Sequence, residues 1–399
     1  MNKSFSLKQL ISVTSFSVAS AVLITIMVFQ MTIFSAENLK TEVSNAKLNE
    51  ILELVDKYYI GDVDEKEMAD NIAAGTLAGL GDKYASYVTS EDAESRFDSL
   101  FGYNTGIGVQ ISVHPDNGTM VVLELHIDGP AKVAGIKPFD EIIAVDDVVV
   151  TEAGYTTALQ YIKTREIGTV INIKINRAGK ALEIPVELKQ HNTQSVFYRL
   201  IDSKGYIQID SFNEMTVEQF KTAVDTMIEA GAEALVFDLR GNGGGTVTSV
   251  CAMLDYILPE GLVLKVDYKD KNYNEVYMSD KSEIDIPMAV LTDRNTASAS
   301  ELFTQSLRDY GKAIVVGRKT YGKGVVQRTF TLSDGSLAVF TVARYYTKSG
   351  YCPEENGIVP DVEISWTEEE LKYRLINGIE KDKEFIAALE QLDSAGQPS

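Results

Sequence analysis

Ala234-Leu-Val-Phe-Asp-Leu-Arg-Gly-Asn-Gly-Gly-Gly245 is the stretch that decides the fold class of this chain of 399 residues. Its continuous apolar run predicts a buried strand. The glycine-rich turn that follows leads into a helix predicted over 248–258. Strands and helices continue to alternate up to about residue 364, an order that is typical of an α/β domain.

The glycine-rich turn has two interpretations, a nucleotide site or an oxyanion site, because a strand, a glycine-rich turn and a helix also occur in this order at nucleotide sites. The Gly-x-x-x-x-Gly-Lys-Ser/Thr pattern is missing here, so the turn has no lysine for a phosphate. Backbone amides at the start of a helix suit another task, the stabilisation of an oxyanion. The turn is therefore predicted to serve acyl chemistry.

A serine among small residues stands ahead of the next predicted helix, in Asn295-Thr-Ala-Ser-Ala-Ser-Glu301, and Lys323 follows between two glycines. A serine hydroxyl is a weak nucleophile until a base takes its proton. None of the three histidines lies near the motif in sequence. A lysine that burial keeps neutral can act as the base instead. Ser298 and Lys323 therefore predict a serine–lysine hydrolase.

Charge and cysteine content exclude other classes of protein. The net charge of −21 argues against a nucleic-acid partner, because phosphate binding requires a basic face. Cys251 and Cys352 are too few for a disulfide framework, and their spacing fits no zinc site. Two free thiols are predicted, with one disulfide in an oxidising compartment as the alternative. No metal and no cofactor are expected.

The amino terminus predicts a membrane anchor. Residues 9–36 contain no charged side chain, and about 20 apolar residues suffice to cross a bilayer. Lys3 and Lys8 precede this run and acidic residues follow it, which predicts a cytoplasmic tail and an extracytoplasmic body. The alternative is a cleaved signal peptide, whose apolar region is normally shorter. A retained single span in the cell membrane is the favoured interpretation.

A compact β-rich unit is predicted over 102–188, after a helical region over 38–101. It opens with Gly106-Ile-Gly-Val109 and contains "GPAKVAGIKPFDEIIAVDD". The order of its segments resembles a PDZ domain. In that family a glycine loop binds the carboxylate of a peptide that adds as an extra strand. The resemblance implies that Ile107, Gly108 and Val109 form the carboxylate loop.

Three long motifs resemble those of the carboxyl-terminal processing proteases, which are PDZ-bearing serine–lysine peptidases. They are "ALVFDLRGNGGG", "NTASASELFTQSLRDYGKAIVVGRKTYGKGVVQ" and "DGSLAVFTVARYYTKSGYCPEENGIVPDVEI". The resemblance implies a multidomain α+β protein. Its expected parts are a tail and anchor (1–37), a helical region (38–101), the PDZ domain (102–188), a crotonase/ClpP-related α/β protease domain (189–366) and a C-terminal helix and tail (367–399).

The resemblance also implies roles for single residues. Ser298 corresponds to the nucleophile, and Ser300 is the competing serine, expected to cap or pack. Lys323 corresponds to the general base and Gln327 to the residue that orients it. Because these two are four residues apart, a helical turn is expected to bring them together, whereas an extended strand is not. The N–H groups of Ala299 and Gly244 are implied as the oxyanion hole.

Other residues have structural interpretations. Cys251 is expected in the core, Asp238 and Arg240 as an ion pair at a strand end, and Glu301 in the first turn of its helix for capping. A single helix over 368–392 is predicted to pack or to oligomerise. Residues 394–399 are expected to be a frayed end.

The sequence thus predicts a single-pass membrane endopeptidase that cleaves extracytoplasmic proteins near their C-termini. Its partners would be protein or peptide substrates with free C-termini, and terminal helices would mediate any homo-oligomer. The alternative function is a membrane-tethered PDZ scaffold whose hydrolase domain is inactive. Intact Ser298, Lys323 and Gln327 argue against this alternative, because a degenerate site loses such residues.

Overall fold

The structure is a computed structural model that describes residues 42–395. The chain forms two compact units that divide after Met68. The described residues of the first unit include helix α1 (Glu42–Tyr58). The anchor predicted over 9–36 lies outside the described residues. No helix within 42–395 is long and apolar enough to cross a bilayer.

The predicted helical region contains a strand as well as helices. Helix α2 (Glu65–Ala78) is followed by strand β1 (Ser86–Val88) and helix α3 (Ser90–Phe101). The Thr89 side chain caps α3 by accepting a hydrogen bond from Asp92 N–H at 3.3 Å. Strand β1 pairs antiparallel with β18 (Leu337–Tyr346), a strand of the predicted protease domain. Residues on both sides of the boundary predicted at 101 therefore share one sheet.

Residues 102–188 form the predicted β-rich domain. Its elements are β2 (Tyr103–Gly106), β3 (Val109–Val113), β4 (Met120–Leu125), α4 (Pro130–Ala134), β5 (Glu141–Val145), β6 (Val148–Val149), α5 (Val150–Ala153), α6 (Tyr155–Lys163), β7 (Val170–Arg177) and β8 (Lys180–Glu187). The main sheet has the order β3-β4-β5-β7-β8, and alternate residues of β7, Ile171, Ile173 and Ile175, are fully buried. Strand β3 lies at the edge of this sheet, where a further strand can pair.

The rest of the chain is an α/β body with two large sheets and one strand that pairs with β2. Its elements are β9 (Lys189–Asn192), β10 (Val196–Ile201), β11 (Lys204–Ile209), α7 (Glu214–Glu229), β12 (Ala234–Asp238), α8 (Val247–Ile257), β13 (Gly261–Tyr268), β14 (Glu275–Ser279), β15 (Met288–Thr292), α9 (Ala299–Asp309), β16 (Ala313–Gly317), β17 (Val325–Thr331), β18 and β19 (Val362–Glu363). One sheet has the order β10-β11-β12-β15-β16-β19, and its strands from β11 onwards are parallel. The other has the order β1-β18-β13-β14, with β17 beside β18.

Strand β12 is buried along its whole length, as its apolar run predicts. It lies between β11 and β15, and the carboxyl ends of β12 and β15 lead into the glycine-rich turn and the serine motif. Parallel neighbours end at the same edge of a sheet, which is where open α/β sheets bind ligands. The fold thus brings the two sequence motifs together.

Helix α7 begins at Glu214, after Asn213, whose side chain accepts a hydrogen bond from Thr216 N–H at 3.1 Å and caps the helix. The prediction of one helix over 368–392 is wrong. Helix α10 (Glu368–Tyr373) ends before Gly378, which has a φ of 81°, and helix α11 (Lys383–Ala395) follows.

Helix α11 packs inside the chain. Its residues Phe385, Ala388 and Leu392 are buried in one apolar cluster with Leu291 of β15 and Val316 of β16. The helix therefore covers one face of the parallel sheet. The sequence predicts that this region either packs within the chain or mediates oligomerisation, and the structure shows that it packs.

Arg240 joins the glycine-rich turn to the start of helix α11. Its side chain is 1% exposed and forms ion pairs with Asp238 (2.5 Å), Asp382 (2.7 Å) and Glu384 (2.6 Å). The predicted ion pair with Asp238 is present, and the two further carboxylates were not foreseen. Burial raises the pKa of Asp238, but the charge and hydrogen bonds of Arg240, together with the charge of Arg374, outweigh it and hold this pKa below its usual range.

Replacement of Arg240 by alanine is expected to lower the free energy of unfolding by about 3–5 kcal/mol. The substitution leaves three buried carboxylates near one another without this cation. Denaturant unfolding of the full chain measures the effect. Lys372→Ala is the control, because its pair with Glu369 is exposed on both sides and should matter little. Equal effects of the two substitutions would contradict the assigned importance of the cluster.

Candidate active site

Ser298 lies in a sharp turn between strand β15 and helix α9. The turn is held by Asp293, whose Oδ1 accepts hydrogen bonds from Asn295 N–H (3.0 Å), Thr296 N–H (3.1 Å) and Gly241 N–H (3.0 Å). Ser298 has φ 58° and ψ −117°. Such a backbone conformation costs a residue with a side chain about 1–3 kcal/mol and is found most often at functional sites.

A buried carboxylate connects Ser298 to Lys323. Glu301 is fully buried, and its Oε2 accepts hydrogen bonds from Ser298 N–H (2.9 Å) and Lys323 N–H (2.7 Å). Its Oε1 accepts hydrogen bonds from Thr320 Oγ1 (2.5 Å) and Gly322 N–H (2.8 Å). Burial raises the pKa of the Glu301 carboxyl, and these hydrogen bonds oppose the rise. Glu301 caps its helix as predicted, and it also fixes the turn that carries Lys323.

Tyr345 makes a second connection between the same two residues. Its hydroxyl oxygen is 3.0 Å from the carbonyl oxygen of Ser298 and 3.0 Å from that of Lys323. Burial raises the pKa of Tyr345 well above its usual range, so the hydroxyl keeps its proton as a donor. Ser298 and Lys323, which are distant in sequence, are thus held together at both their N–H and their C=O groups.

The Lys323 amine is partly buried and contacts the side chain of Gln327. Its Nζ donates to Gln327 Oε1 at 2.7 Å, and Gln327 Nε2 donates to the Tyr84 carbonyl at 2.5 Å. Nζ also lies 4.8 Å from the centre of the Tyr84 ring. Burial lowers the pKa of Lys323; the Glu354 carboxylate opposes this, and the positive charge of Arg96 assists it. The neutral amine therefore forms more readily than in an exposed lysine.

The contact between Lys323 and Gln327 forms without a helix. Lys323 lies in a turn, Gln327 lies on the extended strand β17, and the pairing of β17 with β18 shifts register between Val326 and Gln327. The expectation that an extended strand would separate the two side chains is wrong. The extra residue of this bulge is Val342 on β18, and Lys323 reaches Gln327 from the loop that precedes β17.

The glycine loop, residues 241–245, packs against the serine turn. A Cβ atom on Gly244 would lie 2.9 Å from Ser298 Cβ and 3.0 Å from Ala299 N, so glycine is required for this close approach. Ala299 is the first residue of helix α9, where an N–H group has no partner within the helix. The N–H of Gly244 donates to Asn242 Oδ1 at 2.8 Å. The two implied oxyanion donors are therefore neighbours, and one of them is engaged by a side chain.

Ser300 is placed as the sequence suggested. It is fully buried, and its Oγ donates to the Asn242 carbonyl at 2.9 Å. Both cysteines are free, as predicted. Cys251 is in the core, where burial raises its pKa to about 12, and Cys352 is half-buried beside Gly324. Within residues 42–395, His, Cys, Asp and Glu side chains form no cluster of three that could hold a metal.

The carboxylate loop implied by the resemblance, residues 107–109, has backbone N–H groups that point outward. The carbonyl of Ile107 accepts a hydrogen bond from Ala131 N–H (2.8 Å), and that of Gly108 accepts one from His126 N–H (3.1 Å). In a trans peptide the N–H points opposite to the C=O. The N–H groups of Gly108 and Val109 consequently point away from the domain core. Ile107 itself is buried.

Several residues of the site carried no signal in the sequence. Tyr84 and Arg96 belong to the region predicted to be helical and without a chemical role, and Tyr345 lies inside a strand. Only the last of these stands in a motif that carried the family resemblance. The first two reach the site through tertiary contacts that a local pattern does not encode.

Comparison with known proteins identifies two family modules in the chain. The family model for peptidase family S41 matches residues 203–364, and that for the PDZ domain matches residues 105–188. A solved structure from Bacteroides fragilis NCTC 9343 that is assigned to the S41 proteases has a TM-score of 0.60 and 16% sequence identity, covering 85% of this chain and 93% of that one. This similarity supports the fold.

Two curated relatives extend the match beyond the modules. The carboxy-terminal processing protease CtpA of Bacillus subtilis (strain 168) is 30% identical over 319 residues, which are 79% of this chain and 68% of the relative. The protein named "Probable CtpA-like serine protease" of Staphylococcus aureus (strain COL) is 29% identical over 350 residues, 87% of this chain and 69% of the relative. The chain belongs to the carboxy-terminal processing proteases of peptidase family S41 and is a serine-type C-terminal processing peptidase with a PDZ domain.

Proposed function

We propose that Ser298 is the nucleophile and Lys323 the general base of an endopeptidase that cleaves extracytoplasmic proteins near their C-termini. One observation carries the assignment: Glu301 Oε2 accepts hydrogen bonds from the backbone N–H of both residues. A nucleophile and its base must be held at a fixed separation, because a small misplacement slows the reaction strongly. The lowered pKa of Lys323 supports its role as the proton acceptor.

The reaction has two stages. The neutral Lys323 amine takes the proton of the Ser298 hydroxyl while Oγ attacks the scissile carbonyl carbon. The tetrahedral intermediate then breaks its C–N bond, and the Lys323 ammonium gives its proton to the leaving amine. In the second stage water attacks the acyl-enzyme and Lys323 accepts its proton. The ester bond to Oγ then breaks, and the proton returns to Ser298.

The N–H groups of Ala299 and Gly244 bind the oxyanion in this proposal. Ala299 is ready for this task at the start of its helix. Gly244 must first turn its N–H from Asn242 Oδ1 to the substrate oxygen. Each such donor contributes about 10²–10³-fold to the rate. Binding of substrate and completion of the oxyanion hole are thereby coupled.

Gln327 orients the Lys323 amine, which leads to a pH prediction. Replacement of Gln327 by glutamate puts a negative charge at the position that accepts from Nζ at 2.7 Å. An adjacent opposite charge stabilises the ammonium form and raises the lysine pKa by about 1–3 units. The activity should therefore appear at a higher pH than in the wild type. Gln327→Leu is the control, because it removes the acceptor without adding charge. An unshifted pH profile for Gln327→Glu would contradict the orienting role.

Capture of a substrate C-terminus by Ile107, Gly108 and Val109 is the proposed role of the PDZ domain. The outward N–H groups of the loop and the open edge of β3 support it. Charge-assisted hydrogen bonds are worth about 1.5–3 kcal/mol. A tail peptide with an apolar last residue should therefore bind the full-length Ser298→Ala protein about tenfold or more better than its C-terminal amide. Equal affinities, measured by calorimetry, would reject carboxylate capture.

The remaining part of the proposal concerns location. Residues 9–36 anchor the protein in the cell membrane as a single span, with the catalytic body on the extracytoplasmic side. The uncharged run and the flanking Lys3 and Lys8 support this arrangement. Alkaline carbonate extraction should leave the full chain with the lipid, and its release into the supernatant would contradict an anchor.

One experiment tests the proposed activity as a whole. The full chain is incubated with an unfolded protein, and the products are identified by mass spectrometry. Cleavage within the C-terminal segment of the substrate is expected for wild type, and none for Ser298→Ala. A wild-type chain that binds tail peptides but cleaves nothing would support the alternative of a tethered PDZ-binding protein.

A further inference from the structure

A cavity of about 470 Å³ lies between helix α3 and the glycine loop. Gly244 and Gly245 form part of its wall, and Arg96 and Ser99 of helix α3 face them across the cavity. Gly244 also contacts the serine turn, since a Cβ atom on it would be 2.9 Å from Ser298 Cβ. The volume falls within the range of sites that enclose small ligands. The cavity thus adjoins the position of the nucleophile.

Arg96 lies in the wall of this cavity and has no counter-ion among residues 42–395. Its Nε is buried and has no hydrogen-bond partner. Among the residues that the structure describes, no carboxylate lies within 4.0 Å of its guanidinium. Asp92, the other charged residue of the cavity wall, is engaged by Thr89, whose Oγ1 donates to Asp92 Oδ2 at 3.0 Å. A partly buried cation without a partner is unfavourable unless a ligand offsets its desolvation.

We propose that Arg96 binds a carboxylate of the substrate segment that occupies this cavity beside the scissile bond. The inference rests on the proposed function, and it makes Arg96 a specificity residue. A guanidinium is a planar fork that matches the two oxygens of a carboxylate. That carboxylate belongs either to the substrate's C-terminus or to an Asp or Glu side chain. In both cases the peptidase prefers an acidic segment at this position.

The location near Lys323 fits this assignment. Burial lowers the pKa of Lys323, and the positive charge of Arg96 acts in the same direction, so the two cations are within electrostatic reach. A substrate carboxylate at Arg96 therefore also lies near the reacting groups.

The test uses the full chain and four peptides built around a cleavage site mapped by mass spectrometry. They combine a free-acid or amidated C-terminus with Glu or Gln beside the cleaved bond. The wild type should cleave the charged member of one pair with a kcat/KM about ten- to a hundredfold higher. Arg96→Gln should reduce that ratio to near one. The pair that responds identifies the terminal or the side-chain carboxylate as the ligand.

The ratio of kcat/KM between charged and neutral peptides is compared between the wild type and Arg96→Gln. The PDZ loop is the same in both enzymes, so its contribution cancels in this comparison. Lys281→Gln is the charge-matched control, since Lys281 is 86% exposed and lies outside the cavity, and it should keep the wild-type preference. Ser99→Glu is a second variant that leaves Arg96 in place. Its new carboxylate, one helical turn away, should occupy Arg96 and remove the preference.

Two results would overturn the inference while leaving the proposed function intact. One is a wild-type enzyme that cleaves charged and neutral peptides equally well. The other is an Arg96→Gln or Ser99→Glu variant that keeps the wild-type ratio. A wild-type chain that cleaves none of the peptides and no unfolded protein would instead reject the proposed function, and the inference with it.

Discussion

Replacement of Ser298 by alanine is expected to abolish peptide cleavage, with a loss in kcat on the order of 10⁴–10⁶-fold. The substitution removes only the attacking oxygen. The hydrogen bond from the backbone N–H of residue 298 to Glu301 remains possible, so the turn and its helix should keep their places. Product formation from an unfolded protein measures the loss, and circular dichroism together with tail-peptide binding shows that the fold is intact.

Ser300→Ala is the matched control for this variant. Ser300 is in the same motif, but its hydroxyl is buried and donates to the Asn242 carbonyl. Its removal should cost about 1 kcal/mol of stability and leave most of the activity. If Ser300→Ala were inactive and Ser298→Ala cleaved normally, the nucleophile would be the other serine.

Replacement of Lys323 by alanine is expected to be as severe as the loss of Ser298. In the proposed mechanism both residues act in one step, so the double variant Ser298→Ala/Lys323→Ala should be no slower than either single variant. Lys323→Arg should also be inactive, because a guanidinium does not deprotonate at usable pH. Lys319→Ala is the control, since Lys319 is exposed and precedes the same turn. A double variant much slower than both single variants would show that the two residues act independently.

The pH dependence of the wild type provides a separate test of the base. Burial lowers the pKa of Lys323, so the reactive neutral amine accumulates as the pH rises through that lowered value. Activity should therefore increase with pH and level off below the range in which an exposed lysine titrates. A rate that is independent of pH across this range would exclude a titrating lysine base.

Much of the fold could be predicted because local patterns determine it. The apolar run of β12 predicts a buried strand, and the small residues before Glu301 predict a tight turn into a helix. The order of strands in 102–188 follows from alternating apolar residues and glycine turns. In each case the periodicity of side chains along the chain is itself the cause of the structure.

The parts that could not be predicted depend on contacts between distant segments. Glu301 has the sequence signature of a helix cap, and nothing near it indicates that its second oxygen holds the lysine turn. The break at Gly378 divides a segment whose composition favours one helix. The bulge at Val342 of β18 depends on the pairing of this strand with β17. Such features are decided by tertiary packing, to which propensity is only a weak guide.

The link between Gln327 and Tyr84 has a consequence for what counts as the catalytic domain. The carbonyl that holds the Gln327 amide belongs to residue 84, and nearby Asp82 accepts a hydrogen bond from Thr341 N–H at 2.8 Å. A fragment limited to residues 189–366 would carry the serine, the lysine and the glutamine, yet it would lack the group that fixes the glutamine. In the proposed mechanism, catalytic competence is therefore not modular. Its assembly requires a segment made early in translation to meet one made more than two hundred residues later, so a chain that ends before residue 327 lacks the complete site.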